Sequence, residues 1–163
     1  MKGGPFDITL ASPAPRGAQE TFPVDLGAIC DRFTSWPEAV RDKYFSVTRL
    51  RHLVSSLPVS VATDRSKQGR AVVARKLERR PDIVVFDFVH SVALAPDSYE
   101  TRSVLFTHNV ETEIFKRHAA VATNPVARAI WTNQHRKMWR FERESLRRNA
   151  AREPIRPTEG RDY

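Results

Sequence analysis

Alternating and continuous apolar patterns predict three short strands. Apolar and polar residues alternate over residues 6–10, which predicts a first strand, and a loop containing proline and glycine follows over residues 11–21. Residues 83–86 form a continuous apolar run, and residues 103–107 are a further strand candidate. A continuous run such as 83–86 suits a strand covered on both faces, as in a parallel sheet flanked by helices.

Helical spacing occupies the segment between these strands. Ser66 is a candidate N-cap for a helix over residues 66–80, and Pro81 stops that helix. An earlier helix is predicted from residue 43 until Pro58, because its apolar residues recur three and four positions apart. The side chains expected to face inward in these two helices are Tyr44, Val47, Leu50, Val54 and Leu57 in the first, and Val72, Val73 and Leu77 in the second.

Two more helices are predicted after the strand at residues 103–107. The first covers residues 111 to about 122, and the dipeptide Asn124-Pro125 is a strong start signal for the second, which runs to about Arg148. Helix, strand, loop, strand, helix and helix in that order predict an α/β fold: one domain over residues 1–148 with a parallel sheet flanked by helices. Residues 149–163 lose all apolar periodicity, so a disordered tail is predicted there.

The composition narrows the class of protein. With 163 residues, 40% of them hydrophobic and 28% charged, the chain is long enough for one folded soluble domain. No apolar run approaches the roughly 18 to 20 residues that would span a bilayer. Cys30 is the only cysteine, which excludes an internal disulfide and a Cys-rich zinc site. These features predict a cytoplasmic protein.

The net charge of +8 favours acidic partners: nucleic acid, phosphorylated ligands or an anionic membrane surface. Much of this charge lies in the last predicted helix and beyond it. A solvated basic helix face explains the same pattern, and Trp131 and Trp139 can serve either as stacking platforms for bases or as packing residues. The charge alone therefore leaves the partner open, with nucleic acid as the less favoured choice.

Polar clusters follow two of the predicted strands. Asp87 and His90 come after the run at 83–86, and His108 and Asn109 come after the strand at 103–107. Ligands of open α/β sheets bind at the carboxyl ends of the strands, so these side chains are candidate site residues if the two strands are parallel neighbours. Two alternatives stay open: Asn109 caps a helix beginning near Glu111, and His108 is a turn residue bonded to backbone.

Other kinds of site have less support. The histidines are not at metal-ligand spacing, and no Cys pair exists, so a metal site is not predicted. Cys30 has no local signature of a nucleophile, and no Gly-x-Ser-x-Gly elbow occurs. No cofactor is predicted either.

Several segments, in this order, resemble the N-terminal domain of bacterial glycosyltransferases of the GT-B fold, family 4 type. They are RPDIVVFDFVH at 80–90, VLFTHNVE at 104–111, Asn124-Pro125, and QHRKMWRFERE at 134–144. LPVSVA at 57–62 also resembles the segment before the middle helix of the sheet. The tetrapeptide His-Asn-Val-Glu followed by a basic helix is the most specific part.

The resemblance implies a Rossmann-like domain that holds the acceptor, facing a second domain that holds a nucleotide-sugar donor. His108 would be the catalytic residue near the transferring sugar, and Asp87, His90, Asn109 and Glu111 would bind substrate. No metal is needed, because positive side chains and helix dipoles stabilise the departing diphosphate. The acceptor would be a glycan or a lipid-linked glycan, which allows peripheral association with the inner face of the membrane.

The sequence also departs from the family. Its first strand and glycine-rich loop are not recognisable, and neither is the donor-binding domain, so we expect a partial glycosyltransferase that is inactive alone. Exposed sheet edges would then promote self-association. The alternatives are a basic nucleic-acid-binding protein and an interaction module that completes another chain, as half of a split enzyme.

Overall fold

The computed structural model describes residues 4–15, 26–39 and 45–150 of the chain. Its strands are β1 (Thr9–Ala14), β2 (Arg32–Pro37), β3 (Ile83–Asp87) and β4 (Arg102–Phe106). Its helices are α1 (Phe45–Leu50), α2 (Val59–Asp64), α3 (Lys67–Glu78), α4 (Glu111–Val121) and α5 (Pro125–Ala150). Two 3₁₀ helices, η1 (Arg51–Val54) and η2 (Val89–Leu94), follow α1 and β3.

The strands of the described residues form two parallel pairs, β1 with β2 and β3 with β4. In each pair the second strand runs parallel to the first. The segment that connects β3 to β4 contains η2. The molecule is therefore α/β, with small parallel sheets flanked by helices, which confirms the predicted fold class at this level.

The first strand lies later in the chain than its alternating pattern predicted. Phe6 is exposed, and the strand begins at Thr9 and continues through Pro13 into the predicted loop. Pairing determines these bounds, because β1 aligns residue by residue with β2 from Thr9 opposite Arg32 to Ala14 opposite Pro37. The rest of the predicted loop lies outside the described residues.

Local start signals for two helices are confirmed. Ser66 caps α3 by accepting a hydrogen bond from the amide of Gly69 at 2.9 Å, and Val72 and Leu77 are buried as predicted. Asn124 caps α5 through its side-chain oxygen, which accepts from the amides of Val126 and Ala127. Helix α4 begins at Glu111, and α5 ends at Ala150, two residues later than Arg148.

The helix predicted over residues 43–57 is shorter, and three residues of its predicted apolar face are exposed. After six α-helical residues the chain tightens into η1, where each residue turns about 120° instead of about 100°. Val54, in η1, is therefore out of line with a stripe drawn at α-helical spacing, and it is exposed. Val47 and Leu50 lie within α1 and are exposed as well, whereas Leu57 packs against the core. Tyr44 lies outside the described residues.

The core is assembled around α5, the longest helix. Met138 is fully buried with Val61 of α2, Ala93 of η2 and Phe115 of α4. A second cluster lies beneath β3 and β4 and contains Leu77, Phe86, Val92 and Ala95. No helix of the described residues is long and apolar enough to cross a bilayer.

Polar side chains of α5 also cap two other helices across the core. The side-chain oxygen of Gln134 accepts a hydrogen bond from the amide of Val59, at the start of α2, at 2.8 Å. The carboxylate of Glu142 accepts from the amides of Glu111 and Thr112 and from the hydroxyl of Thr112. Both caps satisfy amides that a helix start otherwise leaves without a partner, so α5 sets the positions of α2 and α4.

One face of the β3–β4 sheet is open, which corrects the prediction that residues 83–86 are covered on both faces. Val84 and Phe86 point toward the core, whereas the alternate residues point outward. The open face carries four exposed apolar side chains: Ile83, Val85, Val104 and Phe106. Parallel sheets are normally covered on both faces, so this surface is unusual for a free domain.

Candidate functional site

The carboxyl ends of β3 and β4 form a rim where the predicted site residues lie. Asp87 ends β3 and pairs in register with Phe106, which ends β4. His108 therefore comes two residues after the position opposite Asp87. Its Nε2 atom lies 2.7 Å from Oδ1 of Asp87, so the structure joins one residue from each predicted cluster.

The Asp87–His108 pair is open to solvent. The His108 side chain is 50% exposed and that of Asp87 is 78% exposed. The Phe106 ring meets the imidazole edge to face with 4.8 Å between centroids. A carboxylate on one ring nitrogen fixes the orientation of the imidazole, and Nδ1 remains for a substrate.

The turn between β3 and η2 is strained. Phe88 has φ 138° and ψ 144°, a region that glycine adopts easily and a residue with a side chain adopts at a cost of about 1–3 kcal/mol. Its carbonyl accepts hydrogen bonds from the amide of Ser91 at 3.0 Å and from the Ser91 hydroxyl at 2.6 Å. This turn directs the chain from Asp87 into η2, which carries His90.

His90 belongs to a separate pair that the sequence did not predict. Its Nδ1 atom lies 2.8 Å from Oδ2 of Asp64, the last residue of α2, and its ring packs on Phe88 with 4.8 Å between centroids. The His90 side chain is only 12% exposed, and its Nε2 atom is buried without a hydrogen-bond partner among the described residues. Asp64 was missed because it lies 26 residues away, and no local spacing relates the two.

The two remaining predicted residues have less defined roles. Asn109 is exposed and does not cap α4, because the N-cap position is Val110 and no side-chain bond is made there. The buried carboxylate of Glu142 takes the place of that cap, which corrects the capping alternative. Glu111 is half-buried as the first residue of α4, and its amide is held by Glu142.

Groups with displaced pKa values lie away from the rim. Burial lowers the pKa of His52, and the neighbouring Arg51 and Arg49 lower it further. Burial also lowers the pKa of Lys137, whose ammonium donates to the carbonyl of Leu53 at 2.7 Å. Lys76 is affected in the same direction, first by burial and then by nearby arginines.

The rim is a surface rather than an enclosed pocket. A depression of about 540 Å³ is lined by residues near Phe6 and Arg32, and another of about 190 Å³ lies near Leu53; neither includes a residue of the rim. Among the described residues no group of three histidine, cysteine or acidic side chains is placed to hold a metal ion. A ligand at the rim would therefore meet the Asp87–His108 pair from an open side.

Comparisons with protein-family models, with curated proteins and with solved structures found no match to this chain.

Proposed function

We propose that this chain is the acceptor-side part of a GT-B glycosyltransferase, which transfers a sugar from a nucleotide-sugar donor to a glycan or lipid-linked acceptor. The observation that carries the proposal is the Asp87–His108 pair at the carboxyl ends of two adjacent parallel strands. Crevices at such strand ends are where open α/β sheets bind ligands. The sequence resemblance supplies the kind of reaction, and the pair supplies a group that suits it.

In this proposal His108 is the catalytic residue. Its imidazole, held by the carboxylate of Asp87, offers Nδ1 to a hydroxyl of the hexose or of the acceptor. A reacting group is most effective when its orientation is fixed before the reaction, and the hydrogen bond to Asp87 fixes that of His108. Asp87 acts through His108, while Asn109 and Glu111 shape the loop on which His108 lies.

In this proposal His90 supports the acceptor side of the rim indirectly. It is tied to Asp64 and largely buried, so it holds the strained turn at Phe88 rather than meeting a sugar directly. A sugar hydroxyl bound next to this turn would meet the backbone and the carboxylate of Asp87.

The proposal has a second part, in which another polypeptide segment covers the β3–β4 sheet. The open face of this sheet supports it. Val85 and Phe106 are each more than half exposed on this face. A complete Rossmann-like domain covers both faces of its parallel sheet with helices. We propose that the donor is held by a second domain, in the same longer protein or on a separate chain, and that these residues alone do not transfer sugar. A lipid-linked acceptor would bring the assembly to the inner face of the membrane.

The test is a chimera that joins this chain to the donor-binding domain of a family 4 glycosyltransferase. Release of nucleoside diphosphate is measured over a panel of nucleotide sugars and glycan acceptors. We expect transfer above the level of the donor domain alone, and a loss of about 100-fold or more in kcat for His108→Ala. His118→Gln is the matched control, because that exposed histidine stacks on Trp131, away from the rim.

Two outcomes would count against the proposal. Equal losses for the two histidine variants would remove His108 from the chemistry. Transfer by a folded chimera that is no faster than transfer by the donor domain alone would remove the acceptor-side role.

A further inference from the structure

The outward face of α5 carries a line of arginines that the proposed transferase site does not use. Arg136, Arg140, Arg143 and Arg147 are all exposed and follow one another at spacings of four, three and four residues. At about 100° per residue the four side chains fall within an arc of about 60°, and at 1.5 Å per residue they extend over about 16 Å. We call this surface the arginine stripe.

The positive charge of the arginine stripe is not neutralised by an ion pair within the part of the chain that the structure describes. Among the described residues, none of the side-chain ion pairs includes any of its four arginines. Glu142 lies on the opposite, buried face of α5, where it is bonded to Thr112. Glu144 is exposed and lies four residues after Arg140, about 40° around the helix, but no ion pair joins it to the stripe. The stripe is therefore a narrow line of guanidinium groups with one acidic side chain at its edge.

An exposed aromatic ring borders this line. Trp139 is 48% exposed, and the guanidinium of Arg143 lies over its ring, 5.1 Å from the centroid. Trp131 is different, because it packs on Phe115 and His118 beside the core. The structure thus resolves the alternative left open by the sequence: Trp131 is a packing residue, and Trp139 is a surface ring beside positive charge.

We propose that the arginine stripe and Trp139 bind single-stranded nucleic acid. Guanidinium groups match phosphate oxygens with paired hydrogen bonds, and an exposed indole is a stacking platform for an unpaired base. Stacking requires bases that are free of a duplex, which favours a single strand.

A membrane surface suits this face less well. Helices that lie in the membrane interface insert their apolar face among the acyl chains. The apolar face of α5 is already occupied, since Met138 is fully buried in the core. On the outward face between residues 136 and 147, the large apolar side chains are Trp139 and Leu146.

The experiment measures binding of a fluorescein-labelled single-stranded RNA of about 12 nucleotides to the full chain by anisotropy, over a series of salt concentrations. Four phosphate contacts predict a slope of about −2.8 in log K against log salt, and Arg136→Gln with Arg140→Gln should reduce its magnitude by about 1.4. Arg70→Gln with Arg75→Gln, two exposed positions on α3, is the charge-matched control and should leave the slope unchanged. Trp139→Ala should weaken binding about fivefold or more without changing the slope.

Circular dichroism verifies that each variant is folded, and vesicles containing phosphatidylserine provide a second arm. Equal slope changes in the two double variants would overturn the assignment, because binding would then follow net charge. Absence of RNA binding would overturn it as well. Vesicle binding that depends on Arg136 and Arg140, without RNA binding, would assign the stripe to a membrane.

Discussion

The two histidine–aspartate pairs near the rim have nearly the same contact distance and opposite surroundings. His108 and Asp87 are 2.7 Å apart and lie on the open side of the sheet, with the histidine half exposed. His90 and Asp64 are 2.8 Å apart, but the His90 ring is almost entirely buried against Phe88. The same pair of residue types therefore serves two purposes: the exposed pair is accessible to a substrate, and the buried pair joins α2 to η2.

The difference arises from the elements that carry each pair. The exposed pair joins two strand ends of a sheet whose outer face is open, whereas the buried pair joins two helices packed against α5 through Val61 and Ala93. Removing a buried partner leaves a polar atom without water, while removing an exposed one does not. Stability and activity should consequently respond in opposite ways at the two sites.

Among the residues of the two pairs, His90→Ala should have the largest effect on stability. Deleting a nearly buried ring leaves a cavity beside Phe88 and removes the partner of Asp64, so we expect a loss of about 2 kcal/mol in the free energy of unfolding. His108→Ala, at a half-exposed position, should change it by less than about 0.5 kcal/mol. Urea denaturation of both variants measures the difference, and equal losses would contradict the contrast between the pairs.

The aspartates should show the same order with smaller values. Asp64→Ala leaves His90 buried without a partner on either ring nitrogen among the described residues, and about 1 kcal/mol is expected. Asp64 itself is 55% exposed, and solvent screening keeps the loss below that of His90→Ala. Asp87→Ala should cost less than about 0.5 kcal/mol in the same denaturation assay. A larger loss at Asp87 than at Asp64 would reverse the interpretation.

The open face of the β3–β4 sheet, next to the exposed pair, can be tested by substitution. Val85→Lys places a charge on an exposed apolar surface, so it should reduce self-association while changing the free energy of unfolding by less than about 0.5 kcal/mol. Sedimentation velocity over a concentration series measures the association. Lysine at Val61, which is fully buried, is the contrasting substitution and should prevent folding. Unchanged association in Val85→Lys would show that this face is not the contact.

The smallest effect concerns a third histidine, His52, which has arginines rather than a carboxylate beside it. Its pKa is lowered from 6.5 by burial first and then by Arg51 and Arg49. The unfolded chain therefore takes up the proton first as the pH falls, and stability is lost from about the ordinary pKa of 6.5 down to the lower folded value. His52→Gln should lose less stability between about pH 7 and pH 5 than the parent chain. If the free energy of unfolding depends on pH identically in the two chains, His52 does not contribute to that dependence.

Local signals were sufficient for part of this fold. Ser66 and Asn124 act within three residues of themselves, so their capping roles follow from the sequence. The apolar runs of β3 and β4 are also local signals. They placed Asp87 and His108 after the ends of these two strands. Parallel pairing places the two clusters at one rim, and it brings Asp87 and His108 into a contact that the sequence did not predict.

Those local signals could not predict contacts between distant segments. Glu142 holds the start of α4 from 31 residues away, and Gln134 holds the start of α2 from 75 residues away. Neither side chain has a distinctive position on α5, so the sequence did not predict these two contacts. For the start of α4 the sequence suggested Asn109 instead. The predicted burial of Val54 failed for a different reason, because a change from α to 3₁₀ geometry rotates the helix face without altering the spacing of apolar residues.

The most direct test of the central claim is a double-mutant cycle of Asp87 and His108 in the active chimera. If Asp87 acts through His108, then Asp87→Asn combined with His108→Ala should lower kcat no further than His108→Ala alone. The coupling energy would then equal the whole effect of Asp87→Asn. Losses that multiply in the double variant would contradict the account, because the two residues would act independently.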